Sequence, residues 1–343
     1  MTAATETILT LGDSAALEPL LAAHSAQPVD AEVETPPDWQ PPSCRVTVAR
    51  PAEVSGRGTY DGRQRRCLRL LPAPPGSGWQ IERTDLPEQL PVAVALANIA
   101  SADRAFVLRS GGACNRFRMA EHVICQRWGL GIDDLLLQSG SEDPPLFDCG
   151  SRPLAEALRQ AGTAVSAVPV EYCTPARPVA IVNPGGRGFL LWEPAPSGGK
   201  RLFLDVAIDF PTAIGRERIR FELCPQNFLF GSAARTNCSS GEWRLLRTLG
   251  RFTAQWRHTG YNAVNILVAA ADRYVNAPQS VFLTPQGKAL EAVWHRSCLD
   301  LVAALSLLPW RPAGRIVSYC AGHVLDCRFL TMLCRQALLR RYF

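Results

Sequence analysis

Lysine is nearly missing from this chain: of 36 basic residues only Lys200 and Lys288 are lysines, and the others are arginine. Against 31 acidic residues this leaves a net charge of +5, modest for 343 residues. The basic residues are scattered, apart from "GRQRRCLR" and the C-terminal "CRQALLRRYF". That distribution argues against a nucleic-acid partner and is compatible with an anionic ligand or peripheral contact with a membrane surface. Long hydrophobic runs are absent too, none approaching the roughly eighteen residues of a membrane span, so no transmembrane segment is expected. The opening "MTAATETILTLGDSAALEPL" has acidic residues early and no basic stretch ahead of an apolar block. It does not read as a signal peptide, and a cytoplasmic location is expected. There is no C-x-x-C pair among the 12 cysteines, which disfavours a ribbon or treble-clef zinc site. Without a secretory signal the cysteines read as small buried residues kept reduced.

What is present fits a globular protein of one large or two medium domains, 47% apolar and 20% charged. Residues 1–42 end in "ETPPDWQPPS" and read as an N-terminal extension with a proline-rich linker, helical at "DSAALEPLLAAH" and otherwise flexible. The body opens at "CRVTVARPAEVSG", an alternating strand followed by a turn. "MAEHVICQRWGLGIDDLLLQ" predicts a helix closed by Gly129 and Gly131 and then a strand. "SRPLAEALRQAG" predicts a second helix with Ser151 as N-cap and Gly162 just past its end. Beyond "EYCTPARPVA" the strands "GFLLWEP", "RLFLDVAIDFP" and "IRFELCP" precede helices over about 288–308 and 324–340. Leu290, Val293, Trp294, Leu301, Val302, Leu305 and Leu308 give the first of these helices an apolar face, and Pro309 stops it. Strands grouped with helices in each half, without regular βαβ alternation, argue for an α+β fold in two domains, 43–170 and 171–343.

Histidine is scarce, with five in all. His24 and His258 read as sitting in unremarkable polar surroundings. His122, His295 and His323 each fall near a helix, and His122 and His295 lie near carboxylates, Glu121 and Asp300. Singly these are weak signals, as is the tripeptide that ends in Thr236.

Together with the segments around them, they carry a resemblance. "RPAEVSGRGTYDG", "IERTDL", "AEHVICQRWGLGIDDLLLQ", "DPPLFDCGSRPLAEALRQAG", "IDFPTAIGRERIRFEL", "ARTN" and "SYCAGHVLDCRFLTMLCRQ" occur in this order from about residue 44 onward. The chain resembles the UDP-3-O-acyl-N-acetylglucosamine deacetylases, zinc amidases of lipid A biosynthesis. The resemblance implies two β-α-α-β layered domains with small inserts and an active-site cleft between them. It implies a passage for the substrate's acyl chain near "YNAVNILVAAADRYV". The substrate would be a nucleotide sugar bearing an acyl chain, and the cofactor zinc. By position, the resemblance makes Glu121 the general base and His122 the first zinc ligand. Thr236 becomes the hydroxyl at the oxyanion, and His323 the late acid or electrostatic stabiliser. Asp300 becomes the carboxylate ligand, with His295 as the second histidine. An acetamide is a poor electrophile, so such a set of groups suits its hydrolysis.

The departures cluster at the same place. The family writes His-Lys-x-x-Asp, and this chain writes "HRSCLD". Aligned from His295, the lysine becomes Arg296 and the aspartate Leu299. Aligned from Asp300, the histidine becomes Arg296. A supporting aspartate one turn on is Ala304, the asparagine after the late Gly-His is Asp326, and the His-Thr/Ser-Gly loop is "TYDG" with Tyr60 and Asp61. Arg296, Asn237 and Tyr60 stand at positions that imply substrate contact. A regular helix turns about 100° per residue, which sends residues five apart roughly 140° away from each other. Three readings stay open. A π-bulge turns His295 and Asp300 to one side; or His295 pairs with Cys298; or the metal is lost, leaving a non-catalytic protein that binds a nucleotide sugar, an acylated sugar or a partner.

Overall fold

The computed structural model describes residues 8–248 and 259–343. His258 therefore lies outside the described residues. The fold is α+β, with two main sheets and helices between them. Residues 52–146 supply a six-stranded sheet ordered Pro145–Leu146, Ala52–Gly58, Arg65–Pro72, Leu135–Ser139, Trp79–Arg83, Val92–Ala93. Its pairs are antiparallel except Leu135–Ser139 on Trp79–Arg83. The second sheet has seven strands, in the order Leu9–Leu11, Val179–Val182, Phe189–Glu193, Gly314–Tyr319, Leu202–Asp209, Arg216–Glu222, Ala31–Val33.

Alternation sets which face of each sheet is apolar. In Arg65–Pro72 the buried positions are Leu68 and Leu70, and in Leu135–Ser139 they include Leu135 and Leu137. These side chains share one continuous core with Val123, Ile124, Trp128, Leu154 and Leu158 of the first helices. The same core continues through Val302, Leu305 and Leu308 to Leu204, Ile219 and Ile316 of the second sheet. The layering is therefore sheet, helices, helices, sheet. Gly129 permits the close approach of the two helical layers, because a Cβ there would lie 2.3 Å from the Phe228 ring.

The N-terminal segment departs from the sequence expectation. From residue 8 it is part of the second sheet rather than a flexible appendage, since Leu9–Leu11 and Ala31–Val33 form its two edges, both in parallel pairing. Leu17 packs against Val182 and Phe189 of that sheet, and His24, expected in unremarkable polar surroundings, is 4% exposed within a buried ion-pair network. Its Nε2 lies 3.2 Å from Asp205, and Arg218 binds the same carboxylate at 2.9 Å while donating to the backbone carbonyls of His24 and Gln27. Two three-residue strands carry too little alternation to be visible in sequence. A second difference lies at the C-terminus. The last helix runs His323–Arg335 and stops where Ala337 takes φ 51°, after which Leu339–Tyr342 is a strand against Tyr172–Pro175 rather than more helix. Among the described residues no helix is long and apolar enough to cross a membrane.

Candidate active site

The helix that begins at Glu291 is buried on every side, so each of its polar side chains needs a partner. Glu291 has Arg235, whose Nε and Nη2 donate to it at 2.7 and 2.9 Å, and Gln279, which donates twice. Arg296 has Asp326, to which it donates at 2.8 and 2.6 Å, and the Ser318 hydroxyl. Ser297 donates to the Val293 carbonyl. His295 and Asp300 are left, and they face each other. Residues Arg296–Leu301 form a π-helical segment between the α-helical pieces Glu291–His295 and Val302–Leu305. The wider turn brings positions five apart into line. His295 Nδ1 accordingly stands 3.5 Å from Asp300 Oδ1. Of the three readings, the π-bulge is the one this geometry matches. Cys298 is turned into the core, where a Cβ on Gly231 would lie 2.4 Å from its Sγ, so the His295–Cys298 pairing finds no support.

The other candidate residues converge on the same point. Thr236 opens the strand Thr236–Ser239, and its Oγ1 lies 3.2 Å from His122 Nε2 and 3.0 Å from His295 Nε2. The two imidazole rings are 5.4 Å apart. His323, at the start of its helix, holds Nε2 3.6 Å from Asp300 Oδ1 and packs its ring on Phe106. Glu121 is 2% exposed and accepts a hydrogen bond of 2.7 Å from the Phe106 amide. Ser151, expected as a helix cap, makes no capping bond; its hydroxyl donates instead to the His122 carbonyl at 2.7 Å.

The electrostatics follow from burial. Loss of water pushes Glu121 up to about 7 and lowers His122 to about 3. Burial also opposes the charge on Asp300, but the His295 and His323 rings more than offset it and hold the carboxyl well below the usual range. At neutral pH His122 is thus a neutral nitrogen donor and Asp300 a carboxylate. Asp300 Oδ1 and His323 Nδ1 are buried and make no hydrogen bond among the described residues.

Three expected substrate contacts stand differently. Arg296 is buried and its guanidinium is occupied by Asp326 and Ser318, so it is not free to meet a substrate. Asn237 follows Thr236 in a strand, so its side chain points to the opposite face of the two-stranded ribbon. Tyr60 stays near the site, 9% exposed, with the Arg118 guanidinium 3.4 Å above its ring.

Two features escaped the sequence reading. The Arg235–Glu291 pair ties the residue before Thr236 to the helix turn that carries His295. Tyr261 packs with Tyr60 and Met119, and its phenol has the Thr236 side chain as a hydrogen-bond neighbour. An arginine abutting "TN" and a glutamate four residues before His295 are the only marks of the first; nothing in sequence marks the second.

A buried cluster of imidazoles, carboxylates and a threonine hydroxyl between helical layers defines a hydrolase-like site in an α+β fold. The comparisons name the family. A sequence model described as UDP-3-O-acyl N-acetylglycosamine deacetylase matches residues 45–335. A deacetylase of that name from Thermosynechococcus vestitus is 30% identical over 292 residues, covering 84% of this chain and 94% of the relative. Similar proteins of the same name from Solibacter usitatus and Bdellovibrio bacteriovorus are 25% and 26% identical, covering 84% and 81% of this chain and 90% and 85% of the relatives. The chain belongs to the UDP-3-O-acyl-N-acetylglucosamine deacetylase family, whose named relatives are hydrolases acting on an amide.

Proposed function

We propose that this protein is a zinc-dependent amidase that removes the N-acetyl group from a UDP-linked 3-O-acylated glucosamine. The observation that carries the proposal is the π-helical segment, which sets His295 and Asp300 on one side where His122 and Thr236 also meet. Zinc fits the residues in kind. Two imidazole Nε2 atoms approach one hydroxyl, and a buried carboxylate oxygen beside them makes no hydrogen bond. Among the described residues no group of three or more histidine, cysteine, aspartate or glutamate side chains is arranged to hold a metal ion as it stands, so the fit is one of residue chemistry. His122, His295 and Asp300 would hold the metal, leaving a coordination position open. Bound there, zinc would polarise the acetamide carbonyl and lower the pKa of water.

The chain's own groups do the rest. Glu121, pushed up to about 7, is poised near neutrality to take the proton of the attacking water. The Thr236 hydroxyl donates to the oxyanion that develops on the acetyl carbonyl oxygen. His323, beside Asp300, protonates the departing amine. On this reading residues 43–170 and 171–343 are two layered domains sharing the cleft. The helix Ser240–Thr248, which buries none of its residues, and the Tyr261–Val275 stretch flank the acyl chain. Free cysteines throughout fit a cytoplasmic location.

Acetate release from the UDP-linked substrate tests this: the protein should release acetate, and Glu121→Ala should lower the rate by at least about a hundredfold. A second reading, a non-catalytic protein that binds the nucleotide sugar, is favoured by one observation, the withdrawal of Arg296 into the Asp326 pair. Substrate binding without acetate release would select it.

A further inference from the structure

A separate cavity of about 250 Å³ shares no residue with the site above. Its walls come from three separate parts of the chain: Trp39 from the N-terminal segment, Trp128 from the first helical layer, and Tyr172 with Leu202 from the strands beyond. The proline-rich segment is pinned over it, since the Tyr172 phenol donates to the Pro42 carbonyl at 2.6 Å and Arg201 Nη2 reaches the Trp39 carbonyl at 3.4 Å. The cavity is thus preformed, near the lower end of ordinary ligand clefts.

Its charge is one-sided. Lys200, one of the chain's two lysines, lines the cavity with its Nζ 5.4 Å from the Tyr172 ring, and it forms no ion pair among the described residues. Arg311 also lines it. The Nε and Nη2 of Arg311 are spent on Asp133 and the Gly131 carbonyl, while Nη1 makes no hydrogen bond among the described residues. Asp133 balances only one of the two cations. Flat aromatic and apolar walls with two cationic donors select an apolar body carrying one negative group, because a half-buried ammonium gains most from an anion that shares its desolvated surroundings.

We propose that this cavity is a binding site for a small aromatic carboxylate, its ring between the indole and phenol walls and its carboxylate held by Lys200 and Arg311. The site is one hydrogen bond from the catalytic helix, since the Trp128 indole N–H donates to the Leu305 carbonyl at 2.9 Å.

Isothermal titration of the full-length protein with 2-naphthoate, 2-naphthalenemethanol and 2-naphthylmethylammonium tests it. The expected result is saturable one-to-one binding of 2-naphthoate, about tenfold tighter than the alcohol, with the ammonium weakest. Lys200→Met should erase the preference for the acid and Lys200→Arg should keep it, while His122→Ala leaves all three isotherms unchanged. Equal affinity for acid and alcohol, no saturable binding of the acid, or acid binding that survives Lys200→Met but not His122→Ala would overturn the proposal.

Discussion

Removing Arg235 should cost the protein a large share of its stability while leaving every proposed site residue in the chain. Glu291 is fully buried, and its charge is met by the Arg235 guanidinium at 2.7 and 2.9 Å. In Arg235→Met that carboxylate keeps the Arg235 backbone amide and the two Gln279 donors but loses its counter-charge. Breaking one side of a buried pair costs about 3–5 kcal/mol, and the remaining donors put this case near 3 kcal/mol. Against a typical total of about 5–15 kcal/mol this is a marked loss. The pH dependence has a definite sign. Burial raises the Glu291 carboxyl, but Arg235 and Gln279 outweigh it and hold the group below its ordinary 4.5. A depressed carboxylate contributes stability above its unfolded pKa and loses it as pH falls through the folded value. The gap between wild type and Arg235→Met should therefore be widest near neutrality and narrow below about pH 4.5. Urea unfolding at pH 7 and pH 4, with Glu291→Gln and the double variant completing the cycle, measures both. A loss under about 1 kcal/mol, or strictly additive single variants, would refute the reasoning.

Other outcomes follow from the same geometry. Glu217 is buried; its Oε2 accepts from the Val293 amide, and its Oε1 has no hydrogen-bond partner among the described residues, while burial pushes the carboxyl up to about 8. A raised carboxyl costs stability as pH climbs from its unfolded value to about 8, so Glu217→Gln should gain on wild type at pH 8 and lose that gain near pH 4.5, read by thermal unfolding at both. Ala304 lines an apolar void of about 10 Å³ that also touches Asp326. Ala304→Asp should therefore destabilise by about 3 kcal/mol or more in urea, because the new carboxylate would be buried without a partner. Asp326→Asn should leave the Arg296 charge uncompensated and lower stability, whereas Asn237→Ala, on the outer face of its ribbon, should leave acetate release within about threefold of wild type.

How much of this was visible beforehand varies by residue. The order of motifs singled out Glu121, His122, Thr236, Asp300 and His323, and the fold brings these five side chains near one point. The C-terminal end of Arg152–Ala161 was legible too, because Gly162 at φ 69° marks its close. The register of the catalytic helix was not. "HRSCLD" is compatible with a regular or a widened turn, and only the packing of Cys298 against Gly231 and of Arg296 on Asp326 decides between them. Long-range ion pairs are silent in sequence for the same reason: Arg235 and Glu291 stand 56 positions apart. The edge strands of the N-terminal segment were hidden by their brevity, and the site's Tyr261 by lack of any motif.

The central claim is that a widened helical turn makes His295 and Asp300 partners at a metal. The most direct measurement is zinc per chain in protein purified without chelator, for wild type, Asp300→Ala, His122→Ala and Cys298→Ser. The account predicts about one zinc in wild type and Cys298→Ser and its loss in the other two. Metal-free wild type, or zinc that leaves with Cys298 and stays without Asp300, would contradict it.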